Sequence, residues 1–406
     1  MDTILAAVDE LAPRLVELLQ ELIRIPTVNP PGDGYEDFCA ALKATFDGLG
    51  YATEIVRVPV ERLAELAPFG GGRPRPSLLA TLDGQAPGPT VHLNGHYDVV
   101  PVGNDWTRDP FGGVLEDGWI YGRGAADMKS GLAAQVIAVE ALRRAGWAGR
   151  IVHSAVPDEE TVGVDNAGTG YLVDQGRLRA DAVIITEPFG PDGVGIGHKG
   201  AIWGEITLHG KQAHGSSPRL GVNAVEHMAR YLARIDADLR PRLETRVTEL
   251  GVTPPEPRST LSFDTIAGGA ATNIVPDRCT VTFNRRLLPG EDLETARAEL
   301  LAPLEGQRYE YRELYATEPT LVGEDEPVVQ AACRAVRALG LEPRLLISAG
   351  SDDQRFVVHR AGISNSIIYG PGTTALSHVS DERISVDDLV LGTKGLALIL
   401  AELLSR

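Results

Sequence analysis

Residues able to hold a cation or move a proton stand at the ends of short apolar runs. Val91 and Leu93 alternate with His92 and Asn94 as in a half-buried strand, Gly95 permits a turn, and His96 and Asp98 follow. Alternation puts these last two side chains on one face, an imidazole beside a carboxylate able to hold its second nitrogen. Further on, Gly122-Arg123-Gly124 leads to Asp127, just ahead of a helical pattern. The apolar run 151–156 ends at Pro157-Asp158-Glu159-Glu160, the run 181–186 at Glu187-Pro188, and His378 follows Gly370-Pro371-Gly372. Each has an ordinary reading by itself: a surface histidine, a helix-capping aspartate, a solvated acidic turn. Together they place chemistry-bearing side chains at four strand or loop ends in the first half of the chain, where open α/β sheets form their sites. Three consecutive carboxylates are also electrostatically unfavourable unless solvated or bound to a cation.

His96, Asp127, Glu160, Glu187 and His378 make a set of two imidazoles and three carboxylates, which suits zinc, cobalt or manganese. One carboxylate bridging a pair of ions would give each an N,O,O set with a position open to water. Glu159 is left over beside a ligand, where a general base should stand.

These positions require a sheet whose strand ends converge. Hydrophobic spacing predicts helices over 4–25, 35–49, 327–339 and from Asp127 to about 145, with a last helix opened by Ser385 and Asp388. Strands are expected at 52–58, 77–82, 151–156, 181–186, 344–347 and 366–369. From His198 the pattern becomes strand, helix (223–239), strands (259–266 and 279–284), helix (293–304) and strand (309–314). That is a compact, ferredoxin-like α+β module inserted into the chain, with linkers near 195–200 and 315–319. The expected organisation is a discontinuous domain of residues 1–197 and 316–406, and an inserted domain of 198–315.

With 406 residues, 43% of them apolar, the chain is globular and long enough for two domains. A net charge of -18 with no Lys/Arg cluster argues against a nucleic-acid partner. Cys39, Cys279 and Cys333 form no CxxC, so neither a disulfide framework nor a Cys-rich zinc site is expected. Asp2, Asp9 and Glu10 replace a basic leader and no long apolar run occurs, so neither a signal peptide nor a membrane span is expected, and a cytoplasmic location is. A P-loop or dinucleotide site fails on glycine spacing and on the lack of Gly-Lys-Ser/Thr.

The ordered set Gly95-His96-Tyr97-Asp98, Gly122-Arg123-Gly124 through Lys129, Asp158-Glu159-Glu160, Glu187-Pro188, Ala213-His214, Asn273 through Pro276, Arg286 through Pro289, Gly370-Pro371-Gly372 and His378 spans nearly the whole chain. It resembles the dinuclear-zinc amidohydrolases and peptidases that include succinyl-diaminopimelate desuccinylase, acetylornithine deacetylase, aminoacylase and the carboxypeptidase G type. The resemblance implies a zinc-peptidase-like three-layer α/β catalytic domain with a central mixed sheet, and an inserted lid that also forms a homodimer. It implies a pair of divalent ions per chain, zinc first and cobalt or manganese as alternatives. His96 and Glu187 would hold one, Glu160 and His378 the other, and Asp127 would bridge. Asp98 would orient His96, and Glu159 would be the acid/base. From the lid, His214 would reach the neighbouring subunit's site and donate to the oxyanion, while Asn273 and Arg286 meet the substrate. Apart from the resemblance, Gly350 and Ser351 read as lining the site, with a plain αβ loop as the other reading.

The implied reaction is hydrolysis of the amide bond of an N-acyl amino acid. Dipeptidases and the carboxypeptidase G type tend to carry Asp where this chain has Glu187, which favours a deacetylase or desuccinylase over a peptidase. The desuccinylases carry an arginine pair where this chain has His198-Lys199, so the acyl group stays open. A metallo-dipeptidase or carboxypeptidase acting on a peptide substrate is the alternative. A silent protein holding a small acid in the cleft is a third reading, against which the intact Glu159 speaks.

Overall fold

Four parallel strands form the centre of the computed structural model, which describes residues 1–161 and 166–405. In spatial order they are Ala148–Val156, Ala86–His96, Ala182–Ile185 and Ser366–Ile368. Antiparallel strands Pro76–Asp83 and Ala52–Arg57 extend one side. Gly193–His198, Arg344–Ser348 and Gly251–Thr253 extend the other, and Thr320–Leu321 pairs with Gly193–His198. The result is a mixed ten-stranded sheet.

Residue alternation gives the sheet two buried faces. Ile184 packs into the largest core with the helices Asp2–Ile23, Tyr35–Gly48, Lys129–Arg143, Pro327–Ala338 and Val386–Leu403. Val183 and Ile185 point the other way, into a cluster with Phe189, Leu346, Val357 and Ile368. Helix Lys129–Arg143 is buried along almost its whole length because other helices cover it as well as the sheet. Asn223, Asp292 and Ser385 cap the helices that follow them by accepting main-chain N–H groups.

A second sheet has its own core. Its antiparallel order is Thr260–Gly268, Arg278–Leu287, Gly200–His209, Tyr309–Thr317. With helices Ala224–Arg234 and Leu293–Leu301 on one face, this is the ferredoxin-like arrangement. The joints differ from expectation. Residues 195–200 are no linker: Gly193–His198 is a strand of the large sheet, and after Lys199 the chain continues as the first strand of the small one. Likewise Tyr309–Thr317 stays paired up to Thr317. Main-chain pairing at the second crossing leaves only Glu318 and Pro319 between the strands. Gly251–Thr253, inside the inserted stretch, pairs with Leu346–Ser348 of the large sheet. Among the described residues no helix is long and apolar enough to cross a membrane.

Candidate active site

The carboxyl ends of the parallel strands converge. His96 is the last residue of its strand, Asp158-Glu159-Glu160 follow Val156, and Glu187 lies just past Ile185. His96 Nε2 stands 3.1 Å from Asp127 Oδ1 and 3.2 Å from Glu187 Oε1. On the other side, His378 Nε2 lies 2.9 Å from Glu160 Oε2 and 3.5 Å from Asp127 Oδ2. Thus His96, Asp127 and Glu187 form one cluster of ligand-type atoms, and Asp127, Glu160 and His378 a second, sharing Asp127 through its two oxygens. Glu159 belongs to neither cluster, and its Oε2 is 3.9 Å from His96 Nε2.

Asp98 acts on different partners from those expected. His96 Nδ1 donates to the main-chain carbonyl of Asp98 at 3.0 Å, while the nearer carboxylate oxygen is 3.6 Å away. The strand ends at His96, so side-chain alternation no longer governs Asp98. Its carboxylate instead accepts the N–H groups of Glu159 (3.2 Å) and Glu160 (3.1 Å) and the Asn29 amide (2.9 Å). It therefore holds the acidic turn. Asp158 supports the same turn from a left-handed conformation, φ 65°. It pairs with buried Arg75 at 2.6 Å and accepts from Asn29 and Tyr35.

Glu382 sets the Asp127 loop. The strand Arg383–Ser385 pairs with Trp119–Tyr121, bringing Glu382 under residues 122–127. Its Oε1 accepts N–H groups from Gly124, Ala126 and Asp127 at 2.9–3.1 Å, and Oε2 pairs with Arg123 at 2.5 Å. Arg75 and Glu382 were not singled out in the sequence, and Arg123 stood in the Gly122-Arg123-Gly124 motif without a role of its own. A carboxylate just after a ligand-type histidine, and an arginine between glycines, were the available signals.

Burial and mutual repulsion dominate the electrostatics. Burial, with the charges of Glu187 and Glu160, pushes Glu159 well above the carboxylate range against the pull of His96. Glu160 is raised well above it by burial and Asp127. Glu187 is pushed up to about 8 by burial, opposed by His96 and assisted by Asp127. Burial opposes charge on His96, but Glu187 and Asp127 outweigh it and hold the imidazole well above its usual value.

A cavity of about 350 Å³ opens beside the clusters and reaches the small sheet. Arg286 lines it, with its guanidinium 5.3 Å over the Trp203 ring and Nε donating to Asn284. Gly350 and Ser351 line it too; Ser351 Oγ lies 2.8 Å from the Tyr315 hydroxyl. Arg355, not anticipated from the sequence, is buried in the wall and donates to Tyr315 at 3.0 Å. His214 and Asn273 do not line this cavity. They are exposed and adjacent, Gly215 N–H donating to the Asn273 carbonyl at 2.8 Å. His214 Nδ1 accepts the Ser216 N–H, which leaves Nε2 as the protonated nitrogen of the neutral ring. Nor does the His198-Lys199 pair face the cavity: Lys199 Nζ donates to the carbonyls of Glu256 and Arg258, and His198 is buried.

A large mixed sheet, a separate small antiparallel sheet and paired ligand-type clusters at the strand ends define a metal-dependent amide hydrolase. The chain belongs to the peptidase family M20/M25/M40, whose family model matches residues 92–402. Among curated relatives, it is 32% identical over 391 residues to the succinyl-diaminopimelate desuccinylase of Methylorubrum extorquens, covering 92% of this chain and 94% of that one. Among solved structures, aminopeptidase PepT from Bacillus cereus has a TM-score of 0.76 at 23% identity, covering 97% of this chain and 98% of the other. The M20 family metallo-carboxypeptidase Sso-CP2 from Sulfolobus solfataricus has a TM-score of 0.74 at 22% identity, covering 96% and 99%.

Proposed function

We propose that this chain hydrolyses the amide bond of an N-acyl amino acid, using a pair of divalent metal ions. The observation that carries the reading is the pair of N,O,O clusters sharing Asp127. His96 and Glu187 would hold one ion, Glu160 and His378 the other, and Asp127 would join them; zinc suits this donor set, with cobalt or manganese as alternatives. The residues fit such ions on their own terms. Glu159, Glu160 and Glu187 crowd together with carboxyls raised by burial, a setting in which ionised carboxylates need a compensating cation. When bound, the metals would supply Lewis-acid polarisation of the carbonyl and a water of lowered pKa.

Glu159 is the side chain left to move the proton. It stands beside both clusters without belonging to either, and its carboxyl oxygen lies 3.9 Å from His96 Nε2, within reach of the reacting centre. Asp98, through the Glu159 and Glu160 N–H groups, is a positioning residue for that turn. Arg286 would pair with a substrate carboxylate across the cavity, with Gly350 and Ser351 shaping the wall.

The inserted domain, 198–315, is proposed as a lid and as the interface of a homodimer. His214 would then serve the partner's site, with Asn273 beside it meeting substrate, which agrees with the exposure of both and with a protonated His214 Nε2 able to meet an oxyanion. A cytoplasmic location is proposed on three buried, unpaired cysteines. The test is metal loading followed by a panel of N-acetyl, N-succinyl and N-formyl amino acids and dipeptides. Hydrolysis of at least one N-acyl amino acid, with metal content near two per chain, is expected. Loss of all metal binding would refute the reading, and preference for dipeptides would move it to the peptidase branch.

A further inference from the structure

Two adjacent aspartates on the loop after strand Arg344–Ser348 have different fates. Asp353 is fully engaged: Oδ2 accepts from Thr169 at 2.6 Å and Oδ1 from Asn166 at 3.2 Å. Asp352 is equally buried, at 5% exposure, but lines the cavity beside the ligand-type clusters. Its Oδ1 accepts the Gln354 N–H at 2.9 Å, while Oδ2 has no hydrogen-bond partner among the described residues. Arg355, the nearby cation, favours charge on Asp352 through space but leaves Oδ2 without a hydrogen bond, because that guanidinium donates to the Tyr315 and Ser351 hydroxyls. Asp352 also lies outside both ligand-type clusters, so a metal does not account for it.

A buried carboxylate oxygen without a partner is destabilising. It is accounted for when a ligand completes it, and the cavity wall is where a ligand arrives. We propose that Asp352 is a specificity-determining residue that receives a cationic side chain of the substrate, ammonium or guanidinium. Resting on the amide-hydrolase reading above, this selects N-acyl amino acids with a basic side chain. A full cation is preferred to a neutral donor because burial disfavours charge on Asp352, an incoming cation offsets that cost, and a charge-assisted bond is roughly twice as strong as a neutral one. Arg286 at the same cavity would take the substrate's carboxylate, so cation and anion are read by different walls.

The test uses metal-loaded enzyme and two readouts. Calorimetry measures binding of diaminobutyrate, ornithine, lysine and arginine against norvaline and norleucine; their shared α-ammonium and carboxylate cancel. Hydrolysis of the matching N-acetyl derivatives is measured in parallel. At least one basic member should bind and react about 10–100-fold better than its neutral counterpart. Asp352→Asn and Asp352→Ser should abolish that ratio while changing norleucine binding less than about threefold. Asp352→Glu should restore part of the ratio. Equal binding of basic and neutral members by the wild type would overturn the proposal without any variant. So would a preference that survives in both variants. Hydrolysis without charge preference would leave the amide-hydrolase reading standing and remove Asp352's role. Selective binding of basic amino acids with no hydrolysis of any amide would do the reverse.

Discussion

Replacing Glu382 should loosen the Asp127 loop and the fold together. Its carboxylate is fully buried and carries three main-chain N–H bonds as well as the Arg123 pair. Glu382→Ala removes all of them. Arg123, itself 3% exposed, would keep only long contacts to the carbonyls of Val379 (3.4 Å) and Pro101 (3.5 Å) and its position 5.2 Å over the Trp106 ring. Removing one partner of a buried ion pair costs about 3–5 kcal/mol. The three orphaned N–H groups would each add about 1–3 kcal/mol if left dry, but water entering the space of the lost side chain can satisfy them, so a loss near the upper end of the ion-pair range, about 5 kcal/mol, is expected. Glu382→Gln keeps an acceptor for the N–H groups but sets an amide against the guanidinium, so a smaller loss is expected. Urea unfolding of the metal-free proteins measures both losses. Because the three donors belong to the segment ending at Asp127, metal affinity should also fall, by about 10–100-fold, read by calorimetric titration. If Glu382→Ala stays within about 1 kcal/mol of wild type with unchanged metal affinity, the argument that this carboxylate braces the site is wrong.

Three further outcomes are expected. Glu159→Gln should retain its metals, since Glu159 belongs to neither cluster, and lose about 10²–10⁴-fold in turnover; near-normal turnover at full metal content would put the base elsewhere. Random pairing of His96→Ala and His214→Ala chains should recover roughly a quarter of all sites, because in each mixed dimer one site combines the intact His96 of one chain with the intact His214 of the other; mixed dimers without activity would place His214 in its own chain's site or outside catalysis. Burial lowers His92 from 6.5 to about 4, so the unfolded chain binds the proton first. Its contribution to stability is full above pH 6.5 and is lost as pH falls toward 4. Relative to His92→Asn, metal-free wild type should lose about 2–3 kcal/mol between pH 7 and 4.5 by urea unfolding, and parallel curves would contradict this.

Much of the site was legible before any coordinates. His96 follows an alternating segment and Glu159, Glu160 and Glu187 follow apolar runs, all with strand spacing, and a parallel sheet brings the ends of such strands together. The inserted module was readable from its element order, because each strand and helix there has its own periodicity. Its joints were not. Whether 195–200 is a linker or a strand depends on which neighbour supplies its hydrogen bonds, and Thr320–Leu321 and Arg344–Ser348 are far away in sequence. The same reason hid the braces. Asp98 and Glu382 act on N–H groups 61 and 258 residues away, so their places beside ligand-type histidines could draw attention to them but could not say which N–H groups they hold. Nor does composition separate Asp352 from Asp353. Residue types and strand ends are local properties and stand in the sequence; which buried acid finds a donor, and which is left facing the cavity, is decided by packing between distant segments.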